Sequence, residues 1–152
     1  MFKKKSQSGR SMVEMLGVLA VIGVLSIGGI AGYTIAMRRH RGNQILDLAN
    51  KYSAIIYAAC ENGISNGTIQ PSEVGYYSCG YENMPRYSDS GLSPIADATF
   101  GVGGVNRKTG EVTTTVYFKD VTMCKTVKSM LGRNNSIDCV YYNELDIRFK
   151  HI

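Results

Sequence analysis

The sequence predicts an α+β protein in which a long N-terminal helix precedes, and packs on, a small antiparallel sheet. Three observations predict it. Residues 12–37 are almost uninterruptedly apolar, and residues 45–60 repeat apolar side chains at three- and four-residue spacing. From residue 100 onward, apolar and hydroxyl side chains alternate in the two-residue rhythm of strands, around a turn that ends in glycine. A chain of 152 residues has room for one compact domain beside one long apolar segment.

The N-terminal segment is the most informative. Between Met12 and Met37 the one charged residue is Glu14, and the other clearly polar residues are Ser26 and Thr34. As a helix these positions reach about 39 Å at about 1.5 Å per residue, enough to cross a hydrocarbon layer of about 30 Å. A secretory signal peptide usually has an apolar run of only about 7–15 residues ending at a small-x-small cleavage site, and this run is longer and has no such end. A plain signal anchor needs only length and flanking charge. Neither accounts for Glu14, because a carboxylate inside a membrane is costly unless it is paired.

The segment Gly9-Arg10-Ser11-Met12-Val13-Glu14, behind a short leader bearing Lys3, Lys4 and Lys5 and ahead of the apolar helix, resembles the signature of type IV prepilins and type II secretion pseudopilins. The resemblance implies a leader over residues 1–9, cut by a prepilin peptidase between Gly9 and Arg10. It also implies methylation of the new N-terminus at Arg10, and a role for Glu14 as the assembly carboxylate that pairs with a neighbouring subunit's amine. Arg10 departs from the apolar residue usual at that position, and its cation can itself pair with Glu14. The expected fold is pilin-like, with residues 10–37 as the membrane and filament-core helix and residues 38–152 as an extracytoplasmic head. Expected partners are identical or related pilin subunits, the peptidase, an inner-membrane assembly platform and membrane lipid.

Five glycines, Gly17, Gly23, Gly28, Gly29 and Gly32, punctuate the helix. Glycine is common in membrane helices, and Gly28 and Gly32 also have the Gly-x-x-x-Gly spacing that permits close helix packing. Because glycine lowers helix stability by about 1 kcal/mol, the Gly28–Gly29 pair marks a point where the helix can melt on assembly. Lys3, Lys4, Lys5 and Arg10 precede the span and Arg38, Arg39 and Arg41 follow it, so charge alone does not orient it. The three arginines suit lipid headgroups or acidic groups on neighbouring subunits, and equally a solvated cationic cap. Without the leader lysines, 14 basic residues face 12 acidic ones, a net charge of +2 that does not point to nucleic acid.

Beyond the arginines, Ile45, Leu48, Ala49, Tyr52, Ile56, Ala59 and Cys60 form one apolar stripe opposite Asn43, Asp47, Asn50 and Lys51. This amphipathic half, about residues 42–62, extends the helix and is expected to stop near Gly63. Residues 64–100 are rich in Gly, Ser, Pro, Asn and Tyr and read as a long loop with short helical turns. Its tyrosines, Tyr76, Tyr77, Tyr81 and Tyr87, suit either a contact surface or solvent. Strands are expected over 100–106 and 111–119, flanking Arg107-Lys108-Thr109-Gly110, with Gly101–Gly104 easing a bend or bulge. Alternation of Thr113, Thr115 and Tyr117 with Val112, Thr114, Val116 and Phe118 predicts a one-sided sheet. Asp120 is placed to cap a short helix with Val121, Cys124, Val127, Lys128 and Leu131 on one side, stopped by Gly132. Residues 137–142 and 145–150 are expected to close the sheet.

The cysteines Cys60, Cys79, Cys124 and Cys139 have no metal-site or redox-motif spacing, and His40 and His151 lie far from them. An even number of spaced cysteines behind a membrane segment reads as two disulfides in an oxidising compartment. That places the C-terminal part outside the cytosol, a single-pass inner-membrane protein with a periplasmic C-terminus, later part of a cell-surface or periplasmic filament. Three pairings are possible; Cys60–Cys79 with Cys124–Cys139 closes short loops. No phosphate-binding loop, nucleophile elbow or metal cluster is legible, so no enzyme, cofactor or metal is expected; Asp138, Glu144 and Asp146 are a faint cation set. Both histidines read as bland surface residues. The expected function is structural, as a pilus or pilus-like subunit for adhesion, motility, DNA uptake or secretion. A non-polymerising, membrane-tethered binding module is the alternative from another class.

Overall fold

The computed structural model describes residues 8–71, 79–132, 139 and 143–151, with side chains from Met12. The fold is α+β, as expected. Helix α1 spans Ser8–Ser65, β1 Ala98–Asn106, β2 Glu111–Phe118, α2 Val121–Leu131 and β3 Glu144–Lys150. The chain divides into two compact units between Met37 and Arg38.

In the N-terminal unit the helix continues through Gly28 and Gly29 without a break. Every side chain from Met12 to Ala36 is exposed, so a cylinder that is apolar except for Glu14, Ser26 and Thr34 faces its surroundings. This helix is long and apolar enough to cross a membrane.

The head is built on the second part of α1. Ile45, Ala49, Tyr52, Ile56 and Cys60 are fully buried, while Asn43, Asp47, Asn50 and Lys51 are exposed, so the predicted stripe is the packed one. They share one core with Val112, Val116, Leu145 and Ile147 of the sheet and with Cys124 and Val127 of α2. Burying each large apolar side chain contributes about 1.5–3 kcal/mol. The close approach of α1 and α2 needs Gly42, where a Cβ would lie 3.1 Å from the Met130 sulfur.

The helix ends at Ser65, near the expected stop at Gly63. There a Cβ would collide with Ile69, lying 2.7 Å from its Cγ1, so Gly63 is needed for packing rather than termination. The chain leaves the helix at Gly67, whose φ of +75° is the left-handed conformation that favours glycine. The Ile69 N–H then donates back to the Gly63 carbonyl at 2.9 Å. Ile69 thereby folds its side chain over the last turn and is buried.

The sheet has the order β1-β2-β3 and is antiparallel throughout. The β1–β2 turn is closed by Asn106, whose Oδ1 accepts from the Lys108 and Thr109 N–H groups at 3.1 and 3.3 Å, and by Gly110 at φ +69°. Register shifts between Val102 and Gly104, the bulge anticipated from the glycine cluster. The sheet is less one-sided than its alternation predicts. Thr113 and Thr115, on the face away from the core, are also buried, and only Tyr117 is exposed in β2. As the central strand β2 is flanked on both sides, and Thr113 occupies the space that a side chain at Gly103 would take.

Helix α2 also differs in detail. Asp120 holds the N-cap position in extended conformation, but its carboxylate makes no capping hydrogen bond. Met123 is buried beside Cys124 and Val127, whereas Val121 is exposed, because the face that meets the core is rotated by part of a turn. Gly132 ends the helix at φ +75°. Of the two expected closing strands, the second is β3; the first, over 137–142, lies outside the described residues apart from Cys139, which sits in a turn.

Candidate assembly helix and disulfide-pinned head

The residues singled out from sequence fall into two groups, one in each unit. In the N-terminal unit Gly9, Arg10 and Glu14 belong to the first turns of α1. The side chain of Arg10 lies outside the description. Glu14 is exposed and has no hydrogen bond or ion pair among the described residues. Gly28 and Gly32 have nothing within 4 Å of where a Cβ would stand, nor do Gly17, Gly23 and Gly29. No packing among the described residues therefore requires these glycines.

In the head the cysteines pair as Cys60–Cys79 and Cys124–Cys139, with Cα separations of 6.0 and 5.9 Å. The first bridge ties the end of α1 to the long loop. Cys79 also forms a two-way backbone bridge with Val105, its N–H and C=O both bonded, so the loop is pinned to the outer edge of β1. The second bridge ties α2 to the segment entering β3. All four cysteines are buried.

Two polar links brace the head. Arg107 in the hairpin turn holds Glu61 of α1 with two hydrogen bonds, Nε to Oε1 at 2.6 Å and Nη2 to Oε2 at 3.0 Å. That bidentate bond keeps the Glu61 carboxyl below its ordinary range. His151, expected to be a bland terminal residue, instead places Nε2 2.8 Å from the Ser53 hydroxyl and lies against the Tyr57 ring at 5.7 Å. Burial pushes its pKa down. His40 is exposed, with Nε2 3.2 Å from Gln44 Nε2. Of the faint cation set, Asp146 accepts the Thr115 hydroxyl at 2.6 Å, and Asp138 lies outside the described residues.

The long loop holds a feature that sequence did not resolve. Two single 3-10 turns, Tyr81–Asn83 and Tyr87–Asp89, fold against the outer edge of β1 and leave a cleft of about 830 Å3. Tyr87 is not a solvated loop residue. Its ring stacks on Phe100 with centroids 4.5 Å apart, meets Tyr52 edge-on at 5.2 Å, and its hydroxyl donates to the Ser93 carbonyl at 2.8 Å. Tyr52 in turn donates to the Pro85 carbonyl at 2.9 Å, and burial, helped by the Asp89 charge, pushes its pKa up to about 12. Tyr81 on the rim is 70% exposed. Tyr76 and Tyr77 lie outside the described residues. The aromatic spacing in the sequence was a signal for this cleft, but only the loop's path along β1 brings the rings together.

Comparison with known protein families, with curated proteins and with solved structures finds no match for this chain.

Proposed function

We propose that this chain is a subunit of a type IV pilus or pilus-like filament, cut between Gly9 and Arg10 and assembled through its N-terminal helix. The observation that carries the proposal is Glu14, a carboxylate without a partner among the described residues, at the start of a helix whose every described side chain to Ala36 is exposed. A helix that only anchors a head in lipid gains nothing from a charge at that depth, where an unpaired carboxylate is costly. A neighbouring copy supplies both what the apolar surface and what the carboxylate lack, helix faces and an α-amino group freed by cleavage. In a low-dielectric layer that pair attracts strongly, and each charge is costly alone.

The glycines support the same reading. Gly28 and Gly32 cost helix stability and serve no packing among the described residues, but they let a second helix approach closely. The two disulfides suit a head outside the cytosol, with the span as its membrane anchor before assembly. The head itself then acts as a coat on the filament rather than as an enzyme.

Glu14→Ala expressed in the native host tests this. Surface filaments should be lost from sheared fractions while the protein remains in the membrane. Intact mass should show a chain that begins at Arg10, carries a methyl group and is four hydrogens lighter than the reduced form. Undiminished filaments from Glu14→Ala would overturn the proposal and favour the membrane-tethered binding module.

A further inference from the structure

The aromatic cleft of the head has no part in assembly through the N-terminal helix, and its chemistry is mixed in a specific way. Its floor is set before anything binds, because Tyr87 is stacked on Phe100 and fixed by its hydroxyl bond to Ser93. Its rim carries Tyr81, among the described residues the most exposed large apolar side chain outside the N-terminal helix. Beside it stand Glu82 and Arg86, opposite charges four residues apart, neither held by a hydrogen bond or ion pair among the described residues. A carboxylate and a guanidinium are thus both available next to aromatic faces.

We propose that this cleft binds a neutral saccharide, with a pyranose ring against Tyr81 and its hydroxyls on Glu82 and Arg86. A pyranose is amphipathic in the same sense as the cleft. One face presents C–H groups whose slight positive charge complements the negative face of an aromatic ring. Its rim presents adjacent hydroxyls, which can donate in pairs to a carboxylate and accept in pairs from the fork of a guanidinium. The cleft volume of about 830 Å3 lies within the span of small-ligand sites. A floor fixed in advance reduces the ordering cost of binding.

Two other occupants fit less well. An extended peptide would use the free edge of β1, but Cys79 already closes that edge at Val105 and the bulge before Gly104 breaks its ladder, leaving only residues 98–102. An acidic sugar would meet Arg86, but Glu82 and Asp89 stand nearby, and two carboxylates against one guanidinium disfavour an anion.

The test uses the full chain, unassembled, in a zwitterionic detergent without a sugar headgroup, so its outcome does not depend on filament formation. Lactose, maltose and N,N′-diacetylchitobiose are titrated by saturation-transfer NMR, with a sialylated trisaccharide as the anionic comparison. At least one neutral disaccharide should bind, and Tyr81→Ala should weaken it about tenfold or more. Tyr81→Phe, which keeps the ring, should stay within about threefold, and Glu82→Gln should weaken binding several-fold. Val121→Ala, at an exposed side chain on α2, should change nothing. Because Tyr81 is mostly exposed, its variants should melt like wild type, which separates lost binding from lost folding. No binding by any neutral disaccharide overturns the proposal. So does binding that survives Tyr81→Ala, or binding of the sialylated sugar alone.

Discussion

The imidazole Nε2 of His151 lies 2.8 Å from the hydroxyl of Ser53, joining the residue after β3 to the buried face of α1 across 98 positions of sequence. The Ser53 hydroxyl donates to the Asn50 carbonyl at 2.7 Å, so it receives its second hydrogen bond from His151. Backbone adds a further tie, His151 N–H to the Gly110 carbonyl at 2.9 Å. The last strand is thereby fastened both to the helix and to the hairpin turn.

Burial of the imidazole makes the head sensitive to acid. Burial lowers the folded pKa of His151 below its ordinary 6.5, so the unfolded chain takes up the proton first. The resulting stabilisation is complete above pH 6.5 and is lost as pH falls toward the folded value. Replacing His151 by Gln should lower the melting temperature at pH 7.5, and the gap to wild type should shrink by pH 5.5. A gap that stays constant across that window would show that the imidazole titrates alike in the folded and unfolded chain, with no shift from burial.

Glu61 acts lower on the pH scale. Its folded pKa is depressed by the Arg107 hydrogen bonds, so its contribution is present above about pH 4.5 and is lost as pH falls through the folded value. Arg107→Gln should therefore lower stability at neutral pH and flatten the stability profile below pH 4.5. Melts between pH 5 and pH 3 read this directly. The pair is substantially exposed, so its effect should also shrink in high salt.

Gly63→Ala tests the buried end of α1. The substitution gains about 1 kcal/mol of helix propensity but drives a methyl group into Ile69, at a typical cost of about 1–3 kcal/mol. The net result should be a less stable head. Ile69→Val removes the atom that the new methyl meets first, so the double variant should recover stability relative to Gly63→Ala. Denaturant titration of the four proteins gives the coupling energy.

Thr114 offers the opposite outcome. It is fully buried on the core face of β2, and its hydroxyl is the one buried side-chain polar atom among the described residues without a hydrogen bond. An unsatisfied buried hydroxyl costs about 1–3 kcal/mol. Thr114→Val keeps the shape and removes the cost, so the melting temperature should rise. A fall would mean that the hydroxyl has a partner in the folded protein.

The bridge between Cys124 and Cys139 closes a loop of 15 residues, which the chain-entropy model values at about 3 kcal/mol. Cys124→Ser with Cys139→Ser should lower unfolding free energy by about that much in urea, with Cys60–Cys79 intact.

Much of the architecture was legible because it rests on periodicity. The stripe from Ile45 to Cys60, the Arg107–Gly110 turn, the glycine bulge and the stop at Gly132 follow from local rules, and the structure has each of them. The errors fall where a distant residue intervenes. The helix end near Gly63 was legible, but the packing of Ile69 on that glycine was not. Thr115 was expected to face solvent, but the sheet neighbours around it decide its burial. Val121 was expected to be buried, but the rotation of α2 on the core buries Met123 instead. Of the site residues, Glu14 and the cysteines stood out by charge and count, whereas Ser53 gave no signal because it meets its partner only through the fold.

By itself the sequence determined the class of each segment: an apolar helix marked by one carboxylate, an amphipathic continuation, a loop and an antiparallel sheet. These follow from the order of polar and apolar residues along a few turns or a few strand positions. Tertiary structure alone decided which side chains meet across long separations: His151 with Ser53, Arg107 with Glu61, Tyr87 between Tyr52 and Phe100. The physical reason is that periodicity sets which face of an element is apolar, while the path of the loop and the register of the strands set what that face touches.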